Sequence, residues 1–215
     1  MPYNRRMQLA IFGGSGRTGQ HVVAQALAAG HDVTALTRSP AKLPADHSRL
    51  RVVMGNVQDA AAVAETLVDA QAVISVLGPT RNRPVFEVSA GMVHILAAMT
   101  AHGPRRLIVS LGAGVADPRD RPQAFHHFMN FLVRRMARYV YEDMVQVDGQ
   151  VRASGLDWTI VRVPRLTDGP RTGQVKAGMV GQGVGPSVSR ADLADFMLRQ
   201  LADDTFLRQA PAISN

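Results

Sequence analysis

The sequence predicts one α/β domain over residues 1–215, built on a doubly wound and mainly parallel sheet. Three observations carry this. Gln8 to Leu27, QLAIFGGSGRTGQHVVAQAL, joins an apolar run (Leu9, Ala10, Ile11, Phe12) to a helical pattern through Gly13, Gly16 and Gly19. Runs of strand character and helical patterns then alternate along the chain, an order that calls for right-handed crossovers and parallel pairing. No internal repeat and no linker divides the chain in two.

In the opening stretch Val22, Val23, Ala26 and Leu27 share one helical face, so it reads as strand, tight turn, helix. Glycines let the backbone reverse and approach a ligand, and the unpaired amides of a helix start attract phosphate. A dinucleotide pyrophosphate over Gly13, Gly14, Ser15, Gly16, Arg17, Thr18 and Gly19 is the first inference. The spacing is G-x-x-G-x-x-G, and the triplet alone also fits an ordinary glycine turn. A triphosphate-binding loop is excluded, because Arg17 and Thr18 stand where its lysine is needed. A nucleophile elbow is excluded too, since Arg17 occupies the position of its final glycine.

The second strand, His31 to Thr37, leads into Thr37-Arg38-Ser39-Pro40-Ala41-Lys42. An acid at such a strand end selects NAD through the ribose 2′-hydroxyl, whereas arginine accommodates a 2′-phosphate. Asp32 comes too early in the strand, and Arg38 with Lys42 points to NADP(H). Leu50 to Gly55 is a third strand, followed by Asn56 and Val57, which suit an adenine edge and face. Asp59 is a natural cap for a helix reaching about Val68. Ala72 to Leu77 is the fourth strand, ending in Gly78-Pro79-Thr80-Arg81, with Arg81 expected at the cofactor phosphates or closing the site.

Glu87 to His102 reads as helix, stopped by Gly103-Pro104. Arg106 to Ser110 is the fifth strand, with Ser110 at the carboxyl end, where open α/β sheets bind ligands. Val115 to Pro122 is expected to be a loop over the site. Gln123 to Ser154 reads as a long helix, with a break allowed. Its apolar side (Phe125, Phe128, Phe131, Leu132, Met136) suits either walling a planar substrate or packing on the sheet, while Arg134, Arg135 and Arg138 face elsewhere. Adjacent His126 and His127 diverge by about 100° on a helix and cannot clamp one metal, so no metal is expected. Trp158 to Val163 is the sixth strand, and Pro164 to Pro170 a second site-facing loop. A short strand is expected around Gln174 to Ala177, and Ser189 should cap a last helix through Leu201, with Asp192 in its first turn.

Composition narrows the function classes. Zero cysteines rule out disulfides and thiolate metal sites. No stretch approaches the ~20 apolar residues of a membrane span, and the apolar run after the basic N-terminus is too short for a signal-peptide core. A cytoplasmic protein with no membrane partner is expected. The net charge is +7, and only Lys42 and Lys176 of the 24 basic residues are lysine. Scattered arginines without stacking aromatics favour phosphorylated ligands over nucleic acid as partner.

The sequence resembles the atypical short-chain dehydrogenase/reductases. The residues that carry the resemblance are Gly13 to Gly19, Leu77-Gly78, Thr80-Arg81-Asn82, Ala97-Ala98-Met99 through Ala101-His102-Gly103, Ser154-Gly155-Leu156 and Ser189 to Leu198. It is most similar to the NADPH-dependent flavin reductase / biliverdin-IXβ reductase branch, with NmrA-like proteins as wider kin. The resemblance implies a seven-stranded Rossmann-type sheet, NADPH on the 13–19 turn with Arg38 and Lys42 at its 2′-phosphate, and the nicotinamide near Leu77, Gly78, Ser110 and Pro164. It also implies a flat conjugated acceptor, a flavin or linear tetrapyrrole, under loops at about 111–135 and 165–185. Two departures stand out. The Tyr-x-x-x-Lys pair is missing: Tyr139 is followed four residues on by Asp143, and Tyr141 by Val145. Arg165 stands where the branch carries histidine, and could pair with a phosphate or propionate of the acceptor.

Hydride transfer to such an acceptor asks the protein mainly to stack two rings, with Ser110 as polar contact. The alternatives are a non-catalytic NADP(H) sensor of NmrA type and an NADPH-dependent quinone reductase. A monomer or weak oligomer is expected.

Overall fold

The computed structural model describes residues 6–44, 46–79 and 81–215, and of His102, Phe125 and Met129 the backbone alone. Residues 1–5 of the basic N-terminus and Thr80 of the Thr80-Arg81-Asn82 motif lie outside the described residues.

Leu9 to Phe12 form the end of β1 (Gln8–Phe12) and are wholly buried, because this strand has a neighbour on each edge and a layer of helices on each face. The chain continues through α1 (Arg17–Ala28), β2 (Asp32–Thr37), a single 3₁₀ turn (Pro40–Lys42), β3 (Leu50–Met54), α2 (Ala60–Thr66), β4 (Ala72–Ser75), α3 (Glu87–His102) and β5 (Arg106–Gly112). Then come α4 (Ala124–Met136), α5 (Arg138–Ala153), β6 (Asp157–Val163), β7 (Arg165–Thr167), β8 (Lys176–Gly178), β9 (Ser187–Ser189), α6 (Arg190–Arg199) and β10 (Ala212–Ser214).

The main sheet runs β3-β2-β1-β4-β5-β6-β10-β8. Its pairs are parallel from β3 to β10, and β8 alone closes the edge antiparallel to β10. The sheet therefore has eight strands, not seven. The difference comes from the C-terminal end, where Ala212 joins β6 at Arg162 and also pairs with Gly178. β8 lies where a short strand is expected around Gln174 to Ala177; the additional strand is β10, whose three residues carry no periodicity. β7 and β9 form a separate parallel pair. The shared register (Gln8 opposite Asp32, Leu9 opposite Ala72) brings the carboxyl ends of β1, β2 and β4 to one edge.

Alternate residues of each strand supply two cores. One face carries Phe12, Val73, Leu107 and Ile160 against Val63 of α2, Met92 and Ile95 of α3, and Val147 and Val151 of α5. The other carries Ile11, Ile74, Ile108 and Val161 against Val22 and Val23 of α1 and Leu193 and Met197 of α6. Asp59 caps α2 by accepting from Ala61 N (2.9 Å) and Ala62 N (3.3 Å). Ser189 caps α6 by accepting from Asp192 N at 3.0 Å. The expected long helix is broken at Ala137, whose φ of −129° and ψ of 45° leave the helical region. Phe128, Phe131 and Met136 of α4 are exposed, do not pack on the sheet and line neither of the two cavities described below. Among the described residues no helix is long and apolar enough to cross a membrane.

Candidate dinucleotide site

Strand order reverses at β1, which has β2 on one side and β4 on the other, and ligands of open α/β sheets bind at such a switch point. The turn after β1 passes tight against the exit of β4. Gly13 has φ +85°, and a Cβ there would come within 2.9 Å of the Val76 carbonyl. At Gly19 a Cβ would overlap the Gly13 oxygen, so the first turn of α1 can pack onto the loop only with hydrogen at that position. Gly16 N bonds Gly13 O at 3.0 Å and closes the turn. No side chain caps the start of α1 and no acid stands in its first turn, which leaves its amides and the positive end of its dipole for an anion. A phosphate fits there.

A groove runs from this turn along the strand ends. Gly13, Ser15, Arg38, Asn56, Val57, Leu77 and Gly78 line it, seven of the residues singled out in the sequence. Leu36, Thr37, Gly55, Glu87 and Val88 line it as well and were not foreseen. Thr37 and Gly55 were legible as the last residues of predicted strands; Glu87 and Val88 reach the groove only because α3 begins beside it. Arg38 is exposed at the rim, and Thr37 Oγ1 accepts from Ser39 N at 2.9 Å, ordering the strand tip beneath it. Asn56 Oδ1 accepts from Gln58 N at 3.3 Å. Val57 packs on α3 at Gly91. A dinucleotide laid along this groove would meet apolar Leu36 and Val57 at one end and uncapped amides at the middle.

A second cavity adjoins the first, with Glu87 bordering both. It is lined by Pro79, Arg81, Arg83, Val85, Phe86, Glu87, Tyr139 and Asp143. Arg81 therefore faces this neighbour and not the groove. Asp143, four residues after Tyr139, is buried and accepts from Val88 N (3.2 Å) and Ser89 N (2.8 Å). It caps α3 from a distance, so the position that would need a lysine to activate a tyrosine is filled by a structural carboxylate.

Other predicted residues stand apart from both cavities. Ser110, half-buried, precedes the last two residues of β5, and Pro164 follows β6. Arg165 is exposed in β7. Lys42 is exposed on the 3₁₀ turn and outside the groove lining. Arg17 bonds Asp168, which also accepts from Arg190 at 2.7 Å, so its guanidinium bridges the glycine turn to the loop after β7. Among the described residues no group of three His, Asp or Glu side chains could hold a metal.

The loops beyond β5 and β6 hang on a buried ion pair. Arg162 is wholly buried and donates to both Asp120 oxygens (2.6 and 2.7 Å), to Ala210 O (2.7 Å) and to Val115 O (3.0 Å). Burial pushes the Asp120 carboxyl up, but the Arg162 guanidinium and the Asp117 and Val180 amides outweigh it and hold it below the usual carboxylate range. Burial likewise opposes Asp117, and bonds from Arg119 and Arg152 hold it far below that range.

Fold and groove together define a Rossmann-type dinucleotide-binding protein. The chain belongs to the NAD(P)H-binding family, whose model matches residues 13–204. Among solved structures it is similar to a short-chain dehydrogenase/reductase of Veillonella parvula in complex with NADP, at 22% identity and TM-score 0.82 over 98% of this chain and 95% of that one. It is also similar to the oxidoreductase ylbE of Lactococcus lactis, at 20% identity and TM-score 0.80 over 97% and 91%. A third is ChuY of Escherichia coli, an anaerobilin reductase, at 20% identity and TM-score 0.78 over 96% of each chain. These likenesses establish the shared fold.

Proposed function

We propose that the protein is an NADPH-dependent oxidoreductase that passes hydride to a flat conjugated acceptor, a flavin or a linear tetrapyrrole. The observation that carries this reading is Arg38, exposed at the rim of the groove that also contains Gly13, Asn56 and Gly78. A guanidinium at a strand tip without a neighbouring acid suits a 2′-phosphate. Lys42 follows four residues later, exposed on the 3₁₀ turn after the same strand, and adds positive charge to that loop. Ser15 and the amides of Gly16, Arg17 and Thr18 hold the diphosphate, and Arg17 can exchange Asp168 for it.

NADPH, when bound, supplies the hydride. The chain's own task is to seat the two rings face to face and keep water out. Leu77 and Gly78, in the groove, would carry the nicotinamide toward the carboxyl ends of β5 and β6, where Ser110 would offer a hydrogen bond and Pro164 an apolar contact. The acceptor takes the cavity beside the groove, between Phe86 and Tyr139, with Arg81 and Arg83 facing its acidic substituents. Arg165 stands ready for an acidic arm that extends past β6. With Asp143 committed to the α3 amides, the protein offers no lysine-activated tyrosine, and a reaction that needs only ring-to-ring hydride transfer fits that lack. ChuY acts on a bilin, which supports an acceptor of this shape.

The test mixes purified protein with NADPH and, in turn, FMN, biliverdin and a benzoquinone, and follows the nicotinamide absorbance. Oxidation well above the protein-free rate with flavin or bilin is the expected result. Turnover with quinone alone would move the assignment to a quinone reductase, and tight binding without turnover would make the protein a sensor. Removing one charge-assisted contact by Arg38→Ala should weaken NADPH roughly tenfold to a hundredfold and leave NADH within about twofold. Equal losses would overturn the 2′-phosphate role.

A further inference from the structure

Helix α4 is inside out. Residues 128, 131, 132, 135 and 136 follow helical spacing and form one stripe. Phe128 is 62% exposed, Phe131 66% and Met136 69%, with Leu132 partly exposed beside them. Asn130, half-buried, is on the side that faces the body, its Oδ1 lying 3.3 Å from where a Cβ on Gly114 would sit. A helix that turns the Asn130 amide inward and aromatic rings outward is arranged for a second apolar medium outside.

The stripe is also cationic. Arg135 lies within it and is exposed, and Arg81 and Arg83 are exposed on the loop fastened to the α4–α5 joint. Asn82 makes that fastening, donating Nδ2 to Met136 O (2.9 Å) and accepting from Tyr139 N (3.1 Å). Val85, 60% exposed, extends the apolar surface onto the same loop. Among the described residues Arg81, Arg83 and Arg135 have no ion-pair partner, in contrast to Arg138, which pairs with Glu142 at 2.7 Å.

We propose that this face docks on an anionic lipid surface, Phe128, Phe131, Leu132 and Met136 entering the headgroup boundary while Arg81, Arg83 and Arg135 meet lipid phosphates. This departs from the expectation of no membrane partner, and it shares Arg81 and Arg83 with the cavity given above to the acceptor, whereas Phe128, Phe131 and Arg135 belong to this face alone. A second copy of the chain is the poorer occupant, because a two-fold contact through the stripe would bring like charges around Arg135 together. An acidic protein would satisfy the arginines but does not by itself account for three large apolar side chains held outward. A helix of 13 residues gives weak, reversible association.

Vesicle flotation with the full chain tests this. Vesicles of phosphatidylcholine alone are compared with an equal mixture of phosphatidylcholine and phosphatidylglycerol. Partitioning should be at least about tenfold stronger on the anionic vesicles and should fall as salt is raised. Phe128→Ser with Phe131→Ser, and separately Arg135→Glu, should each reduce it at least about tenfold while NADPH affinity stays unchanged, which shows the variants are folded. Absence of partitioning onto anionic vesicles, or equal partitioning by the double variant, overturns the proposal. So does a concentration-dependent dimer that Phe128→Ser with Phe131→Ser abolishes, which would assign the face to a second copy.

Discussion

The two ends of the binding edge are built by different means. At the β1–β3 end the groove is shaped by backbone: the Gly13–Gly19 turn closes on its own carbonyl and presses against Val76, and no side chain caps α1. At the β5–β6 end the loops are held by side chains from far along the chain. Arg162 joins Val115, Asp120 and Ala210, while Asp192 accepts from Thr172 N and Gly173 N (both 2.8 Å). The first construction keeps its polar groups available for a ligand. The second spends its charges on its own chain, so damage at one end should show as lost binding and at the other as lost stability.

Asp120→Ala should have the largest effect. It strands a wholly buried guanidinium, and removing one partner of such a pair costs about 3–5 kcal/mol. Denaturant unfolding would read this, and a change below about 1 kcal/mol would mean that Arg162 finds water instead. Gly19→Ala should act the other way. Its methyl cannot coexist with the Gly13 carbonyl, so NADPH affinity should fall by about tenfold or more in calorimetry, with a smaller shift in the unfolding midpoint. If Gly19→Ala proved the less stable of the two proteins, the contrast between the ends would fail.

Acid should separate them more gently. His31, beside β1, is held below its ordinary pKa by burial, with Asp32 opposing, so it contributes stability when neutral. That contribution is complete above the unfolded value of about 6.5 and is lost as pH falls from there through the lower value of the folded state. The carboxyls of Asp117, Asp120 and Asp192 are depressed in the fold, so their share is complete above the ordinary carboxylate range and is lost only below about pH 4. Two acid arms are expected in unfolding free energy against pH. His31→Gln should remove the first and leave the second, and a single arm unaffected by that substitution would contradict the separation.

What could be read from the residues follows the same division. The strand–turn–helix unit, the alternation to β6 and the caps at Asp59 and Ser189 depend on local pattern and stand as expected, and seven of the residues singled out in the sequence come together in one groove. Lys42 and Arg81 did not join the groove, since each sits on a loop whose course depends on contacts elsewhere. Asp143 could be seen only as a missing lysine; its role as a cap needs Val88 and Ser89 beside it, 55 and 54 residues away along the chain. Strand β10 and the outward face of α4 were likewise beyond reach, the first because it is three residues with no period and no glycine to bound it, the second because a period does not say which side meets the body.

The sequence by itself determined that the chain alternates strand and helix behind a glycine turn suited to a diphosphate, because period and backbone freedom are properties of neighbouring residues. Tertiary structure alone decided which charges serve the fold and which stay available. Asp120 became structural and Arg38 stayed at the rim because pairing depends on what distant segments bring within a few ångströms, and that distance is set by packing.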